Sequence, residues 1–305
     1  AAAGLRPGVS ISLELLPGDG EKQPKLGGML RYGIPGYRFP RERLDEEIET
    51  ILSVGGIKVS TGLSIDESKC FYNVRNEFDA IYIAIGAHRD RKVGIPGEDS
   101  KGVISAVEML RNIGLDNPPD FKGEEIVVVG GGNVAMDAAR CAKRMGAENV
   151  YIVYRRGEEE MPARLEEVHH AKEEGIEFHL LTAPLEIIGD EKGWVKGMNV
   201  VKMELGEPDA SGRRRPIEKV GSDFDLPVDC VIMSLGTTPN PLIKNTTPGL
   251  EVNRKGGIVV NEEGLTSHAS VYAGGDAVTG AATVILAMGA GKLGAKSIDE
   301  QLSKK

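Results

Sequence analysis

Residues 126–156 read IVVVGGGNVAMDAARCAKRMGAENVYIVYRR, and this stretch decides the fold. An apolar, β-branched run ends in glycines, an alanine-rich helical stretch follows, and a second β-rich run ends in two arginines. The pattern predicts a strand–turn–helix–strand unit, with Gly130, Gly132 and Ala135 forming G-x-G-x-x-A at the first turn. Glycine there permits the tight turn and lets the backbone approach a pyrophosphate, while the small residue at 135 lets helix and strand pack closely. The pyrophosphate is expected over the helix N-terminus, where unpaired N–H groups and the helix dipole favour an anion. A site for NAD places Asp or Glu roughly 20 residues after the glycines, on the ribose 2′-hydroxyl. Here Arg155 and Arg156 hold that neighbourhood. A carboxylate would repel a 2′-phosphate and guanidinium forks match one, so the pattern favours NADP(H) over NAD. The plainer reading is that the arginines only cover the sheet edge.

The chain around this unit has 305 residues, enough for two domains of ordinary size. Its 40 glycines lie beside apolar runs, which suits tight turns and close backbone–ligand approach rather than disorder. A net charge of −9 argues against nucleic acid as a partner. The basic cluster at 213–215 lies in a Gly/Pro-flanked loop and reads as a solvated tip. The three cysteines, Cys70, Cys141 and Cys230, include no C-x-x-C pair, so no iron–sulfur or zinc ligand set and no dithiol centre is expected. Their scatter fits a reducing, cytoplasmic setting. The longest apolar stretch, residues 277–290, is too short and too glycine-rich to span a bilayer. His169, His170 and His179 lie in no H-E-x-x-H pattern, and no metal site is expected.

Upstream, residues 9–16 read as a strand with Glu14 near its end, and residues 27–42, GGMLRYGIPGYRFPRE, as an irregular loop fitted closely around something. Residues 40–54 read as an amphipathic helix with Leu44, Ile48, Ile51 and Leu52 on one face, stopped by Gly55 and Gly56. A short strand is expected at 57–60. Residues 80–85 read as a strand buried on both faces and ending at Gly86. A helix at 105–112 and a linker at 115–123 follow. Downstream, residues 164–174 read as a helix, 176–181 as a strand, and 185–205 as a hairpin turning at 190–193.

The chain repeats one feature. Asp79 precedes Gly86 by seven residues, and Asp229 precedes Gly236 by seven, with apolar residues between. Two buried strands ending in a glycine suggest two dinucleotide-binding domains of related build. In the C-terminal part, short strands are expected at 257–260 and 270–273. Gly274, Gly275 and Asp276 then lead into one long helix from Gly280 onward. An Asp at a strand end can accept hydrogen bonds from a sugar hydroxyl, and a helix start near 280–283 can stabilise negative charge on a reduced ring. Ala282, Ala287, Gly289, Ala290, Gly291 and Gly294 are expected to let that helix pack tightly.

Taken together, GGMLRYGIPGYRFP, AIGAHRDRKVGIPGED, VVGGGNVAMDAAR, VYRRGEEEMPA, SLGTTPNPLI and YAGGDAVTGAATVILAMGAGK resemble the family of the glutamate synthase small (beta) subunit. That family's relatives include the NADPH/FAD part of dihydropyrimidine dehydrogenase and the flavin subunits of bifurcating transhydrogenases. The resemblance implies an α/β fold with two Rossmann-like dinucleotide-binding domains, parallel sheets flanked by helices, and a small antiparallel hairpin. Residues 1–115 and 237–305 would form an FAD domain with its first strand–turn truncated, and residues 116–236 an inserted NADP(H) domain. Flavin contacts would fall on Glu14, Gly27, Gly28, Gly86, Gly275, Asp276, Ala282, Thr283 and Val284. NADPH contacts would fall on Gly130, Gly132, Asn133, Val134, Ala135, Arg155, Arg156 and Gly236.

Two departures from that pattern stand out. The family's first strand and G-x-G-x-x-G turn, which cradle the ADP half of FAD, are not seen before the GGML loop, and neither is its cysteine-rich iron–sulfur region. A fragment, a weakly held flavin and a lost flavin are the alternatives. The resemblance implies hydride transfer from NADPH to FAD and electron delivery to an iron–sulfur or flavoprotein partner, such as the glutamate synthase large subunit. That step needs no side-chain acid or base, so no catalytic residue is nominated. The rival reading is a non-catalytic NADP(H)-binding subunit, without flavin, in a larger redox complex.

Overall fold

The structure, a computed structural model, describes residues 24–59, 61, 78–208, 212 and 214–304. The described residues divide into two compact units: those within 24–31, 39–89 and 237–304 form the first, those within 32–38 and 90–236 the second. Glu14 and Cys70, and the strand expected at 9–16, lie outside the described residues.

The first unit opens with α1 (Gly28–Tyr32), so the GGML stretch expected as a loop is a short helix at its start. Helix α2 (Arg41–Leu52) begins after Pro40 and buries Leu44, but Ile51 stays 38% exposed, so the expected apolar face is only partly used. Residues 57–59 form no strand, against expectation. Strand β1 (Ile81–Ile83) is shorter than the expected 80–85 and fully buries only Ile83. Strand β2 (Arg89–Asp90) leads to the second unit.

The second unit holds a five-stranded, wholly parallel sheet. Its strands are β3 (Val103–Ser105), β4 (Glu125–Val129), β5 (Asn149–Tyr154), β6 (Glu177–Leu180) and β11 (Cys230–Met233), in the order β3-β11-β4-β5-β6. One face is covered by helices α3 (Ala106–Gly114), α4 (Asn133–Arg144) and α5 (Leu165–Glu173). Helix α3 starts on a cap, the Glu108 N–H donating to Ser105 Oγ at 3.1 Å. Helix α4 turns Ala135, Met136, Ala138, Ala139 and Ala142, all 0% exposed, onto Ile126, Val128, Val150 and Ile152. Small side chains let a helix lie close to a sheet, and that closeness fixes where its N-terminus falls.

The other face of the sheet is covered by antiparallel strands: β7 (Thr182–Gly189), β8 (Val195–Pro208), β9 (Arg214–Glu218) and β10 (Phe224–Leu226). Ile187, Val195, Met198 and Val200 pack against Val127, Val129, Val153 and Val231. Alternate residues of β4 thus serve two different layers, as a strand buried on both faces requires. Strand β8 is long enough to pair with β7 and β10 through its first part and with β9 beyond Met203. The basic stretch expected as a solvated tip is therefore strand at Arg214 and Arg215, while Arg213 lies outside the described residues.

Returning to the first unit, the chain forms β12 (Thr237–Thr238), α6 (Leu242–Thr246) and β13 (Val271–Ala273), which pairs in parallel with β1. The strand expected at 257–260 is reduced to a single bridge between Val252 and Ile258. The expected long C-terminal helix is α8 (Val284–Ser303), which starts a few residues after Gly280, and a short helix not expected, α7 (Asp276–Thr279), precedes it, parted from it by Gly280–Thr283. Gly280 sits at φ +80°, and Thr283 caps α8 by accepting from the Leu286 N–H at 3.4 Å. Close packing of α8 holds at Gly294, beside the Tyr82 ring, at Ala290, beside Gly274, and at Ala287, beside Gly275; Gly289 and Gly291 face open space, and Ile285 and Leu286 are exposed. No helix among the described residues is long and apolar enough to cross a membrane.

Candidate functional site

The carboxyl ends of β4, β5 and β11 lie side by side in the second unit. The Ser234 N–H donates to Val129 O at 2.9 Å, and the Gly130 N–H donates to Val153 O at 3.0 Å. This edge gathers Gly130, Gly132, Asn133, Val134, Arg155 and Gly236. An open α/β sheet binds ligands outside its strand carboxyl ends.

The glycines of the turn answer to different constraints. Gly130 has φ +151°, and a Cβ there would stand 2.3 Å from Ser234 O. A Cβ on Gly131 would enter the Tyr154 ring at 2.6 Å. Both are required by the protein's own packing. Gly132 is not: a Cβ there would meet nothing closer than Pro162 Cγ at 3.9 Å, and φ is −95°. The space above Gly132 is a cradle that a methyl group would fill. Ala135 and Met136 donate back to Gly132 O at 3.0 and 3.2 Å. Among the described residues, the Asn133 and Val134 N–H groups have no acceptor, as the first turn of a helix leaves them. Asn133 Oδ1 accepts from the Arg164 N–H at 2.9 Å, and Gly131 O from the Ala163 N–H at 3.2 Å, so residues 163–164 brace the turn.

The two arginines after β5 differ. Arg155 is exposed, whereas Arg156 is buried at 7% and its Nε donates to Arg214 O at 2.9 Å. The Leu181 N–H donates to Arg156 O at 3.0 Å, so the antiparallel layer holds Arg156 through both side chain and backbone.

The sequence reading missed how residues 32–38 are used. They lie on α4 and α5 within the second unit. Arg38 donates to Asp137 Oδ2 at 2.6 Å and pairs with Glu167 at 3.2 Å. Arg140 bridges Glu167 and Glu174 at 3.0 and 2.8 Å, and the guanidinium groups of Arg140 and Arg144 stack on the Tyr37 ring at 4.5 and 3.9 Å. Burial raises the Asp137 carboxyl to about 6, against the opposing pull of Arg38. Burial also raises the Tyr37 hydroxyl, and pushes the buried thiols of Cys141 and Cys230 up to about 12, far from a reactive thiolate. The segment expected to fit closely around something thus fits, at 32–38, against α4 and α5 of the protein itself. The signal available in sequence was a Tyr-Arg pair with no apolar periodicity, facing acids at 137 and 167.

In the first unit, Gly86 and Gly275 follow the neighbouring strands β1 and β13, with the Gly274 N–H donating to Ile83 O at 3.3 Å. Asp276 Oδ1 accepts from the Ala282 N–H at 3.1 Å, bringing Asp276 to the break that carries Ala282, Thr283 and Val284, all three exposed. Gly28, at φ +51°, and Gly280 face open space. Gly27 packs against Leu44 and Arg31, and Arg31 pairs with Asp45. No hydrogen bond joins the Gly27–Gly28 turn to the Asp276 break among the described residues. Among the described residues there is no cluster fit to hold a metal ion.

Residues 5–291 match the model of the family described as pyridine nucleotide-disulphide oxidoreductase. The chain is 43% identical over 286 residues to the NADP(+)-dependent formate dehydrogenase subunit beta of Moorella thermoacetica, covering 92% of this chain and 40% of that protein. It is 34% identical over 295 residues to the glutamate synthase [NADPH] small chain of Halomonas elongata, covering 92% of this chain and 62% of that protein. The chain thus spans from 40% to 62% of the length of these curated relatives. Among solved structures, Mycobacterium tuberculosis FprA in complex with NADPH superposes with a TM-score of 0.80 at 21% identity, over 99% of this chain and 79% of that one. The thioredoxin reductase of Lactococcus lactis gives 0.68 at 19% identity, over 98% and 92%. The structural likenesses establish a shared fold.

Proposed function

The chain belongs to the pyridine nucleotide-disulphide oxidoreductase family, and from that premise we propose that it is an NADPH-dependent flavin oxidoreductase of the glutamate synthase small-chain kind. Residues 90–236 hold NADP(H), and residues 39–89 and 237–305 hold the FAD. Bound together, these cofactors would supply hydride chemistry between nicotinamide and flavin, with electrons leaving to an iron–sulfur or flavoprotein subunit. The names of the relatives in Moorella and Halomonas are those of subunits, which supports such a partner.

One observation carries the reading: the open cradle above Gly132, beside unpaired N–H groups at the start of α4 and the exposed Arg155. These residues fit a dinucleotide carrying a 2′-phosphate. Asn133 and Val134 donate to the pyrophosphate, and the guanidinium of Arg155 meets the 2′-phosphate, with Arg156 held behind it. In the first unit, the open glycines Gly28 and Gly280, the Asp276 carboxylate and the exposed start of α8 fit a flavin. Gly27, Gly28 and Gly86 line its approach, Gly275 and Asp276 bind its sugar chain, and Ala282, Thr283 and Val284 offer the helix start to the ring. The chain's residues bind and orient; none transfers a proton.

The decisive measurement is a visible spectrum of the purified protein, followed by addition of NADPH. Bands near about 370 and 450 nm that bleach with NADPH more readily than with NADH are expected of a bound flavin reduced by this coenzyme. A colourless protein that binds NADP+ tightly would sink the flavin half. Replacing Arg155 by Ala is expected to weaken NADP+ by about 1.5–3 kcal/mol while leaving NAD+ nearly unchanged. Equal losses for both coenzymes would sink the 2′-phosphate assignment.

A further inference from the structure

The turn after Arg156 carries three consecutive acids, Glu158, Glu159 and Glu160. Left uncompensated, they would oppose a 2′-phosphate bound at the end of β5, because like charges within a Debye length repel. Each acid has a cation. Glu158 pairs with Lys172 at 2.8 Å. Glu159 and Glu160 both pair with one residue, Arg214, at 3.2 and 2.5 Å. Glu160 is 6% exposed and also accepts from the Gly157 N–H at 3.1 Å, so its charge is fixed in the turn. Arg214 comes from far along the chain, on the strand β9 that pairs with the end of β8. Its backbone carbonyl is the acceptor for Arg156 Nε.

We propose that Arg214 is a specificity-determining positioning residue. It neutralises the acidic turn and holds Arg156 behind Arg155, so that the end of β5 accepts a phosphorylated ribose. This rests on the reading that NADP(H) binds at that edge. It assigns to the β8–β9 hairpin a part in coenzyme choice that neither the glycine turn nor the arginine pair contains. The guanidinium works by cancelling charge, without touching the coenzyme.

The test is equilibrium binding of NADP+ and NAD+ to the full chain by calorimetry, with thermal melting as a check on folding. Arg214→Gln is expected to weaken NADP+ by about tenfold and NAD+ by less than about twofold. Adding Glu159→Gln to that variant is expected to restore about threefold of the NADP+ loss, and raising the salt to narrow the gap between the coenzymes. A role confined to holding the fold would move both coenzymes together and would be relieved by neither change. Arg214→Lys keeps the charge without the fork and is expected to fall between wild type and Arg214→Gln. If Arg214→Gln does not fold, Glu159→Gln alone decides. Tighter NADP+ with unchanged NAD+ supports the proposal, and no change overturns it. Arg155→Ala separates the two levels. If it leaves the NADP+/NAD+ ratio intact, the site reading itself fails. If it lowers the ratio while Arg214→Gln does not, only the role of Arg214 is lost.

Discussion

At the scale of single residues, the glycine turn separates what the fold needs from what a ligand needs. Gly130 and Gly131 abut Ser234 and the Tyr154 ring, while Gly132 abuts open space. Gly130→Ala is therefore expected to destabilise the protein by about 2–4 kcal/mol, since neither the backbone oxygen nor the sheet can yield. Gly132→Ala is expected to melt within about 3 °C of wild type, because replacing an N-cap glycine by alanine costs about 1 kcal/mol and φ there is ordinary. Its binding of NADP+ should fall by about tenfold or more, since the new methyl occupies the pyrophosphate's approach. Melting curves and calorimetry on the two variants check the contrast. A Gly132→Ala protein that binds NADP+ normally would show that the coenzyme does not lie over this turn. The motif was legible as a motif; which of its glycines the fold itself requires was not, because that depends on how Ser234 and Tyr154 pack against the turn.

Elements were legible where one local pattern decides them, as in β4, α4, β5 and the β7–β8 hairpin. Packing was not legible where a distant partner decides, as with residues 32–38. Their Gly, Pro and aromatic content reads as a loop, which 33–38 are, but the acids on α4 and α5 that fix them in place through Arg38 lie far along the chain. The start of α8 was legible to within a few residues, whereas the short helix α7 before it was not, because Asp276, accepting from the Ala282 N–H, holds the chain at that turn. Burial of Asp137 on α4, only partly offset by Arg38, gives stability a particular pH dependence. A carboxyl whose pKa is higher in the folded chain holds its proton more tightly there, so protonation favours folding. The contribution of Asp137 is complete below its unfolded value of 3.8 and is lost as pH rises through about 6. It amounts to about 3 kcal/mol at most. Glu174 works in the opposite sense. Hydrogen bonds from Arg144 above all, and from Arg140, hold its carboxyl below the ordinary 4.5, so its stabilisation is lost at lower pH. Stability is thus expected to rise from pH 7 towards pH 5 and to turn over below about pH 4.5. Asp137→Asn should remove most of the rise, leaving the smaller share of Asp90 and Glu124, which burial also raises, and keep the turnover. Denaturant titrations across that range decide, and a variant curve parallel to wild type would remove Asp137 as the cause.

At the scale of the whole molecule, the chain leaves one compact unit and returns to it, and each unit carries its own copy of one device: an apolar strand that starts after an Asp and ends before a glycine of positive φ. Strand β1 with Gly86 serves the first unit, at φ +68°, and β11 with Gly236 the second, at φ +89°. The two copies differ in support. Strand β11 is buried throughout and lies between two parallel neighbours, whereas among the described residues β1 pairs only with β13 and fully buries one side chain. Short ladders open more easily than strands inside a wide sheet, so amide exchange is expected to be faster at 81–83 than at 126–129 and 230–233. Ligands should act on the units separately. A ligand bound to one unit stabilises it by about 2.7 kcal/mol at a hundredfold excess over its Kd. NADP+ is therefore expected to slow exchange within 126–156, and FAD within 81–90 and 271–290. Hydrogen exchange with each ligand added alone resolves this by peptide. FAD protection confined to the five-stranded unit, or NADP+ protection confined to the unit built around β1 and β13, would reverse the assignment of the two cofactors.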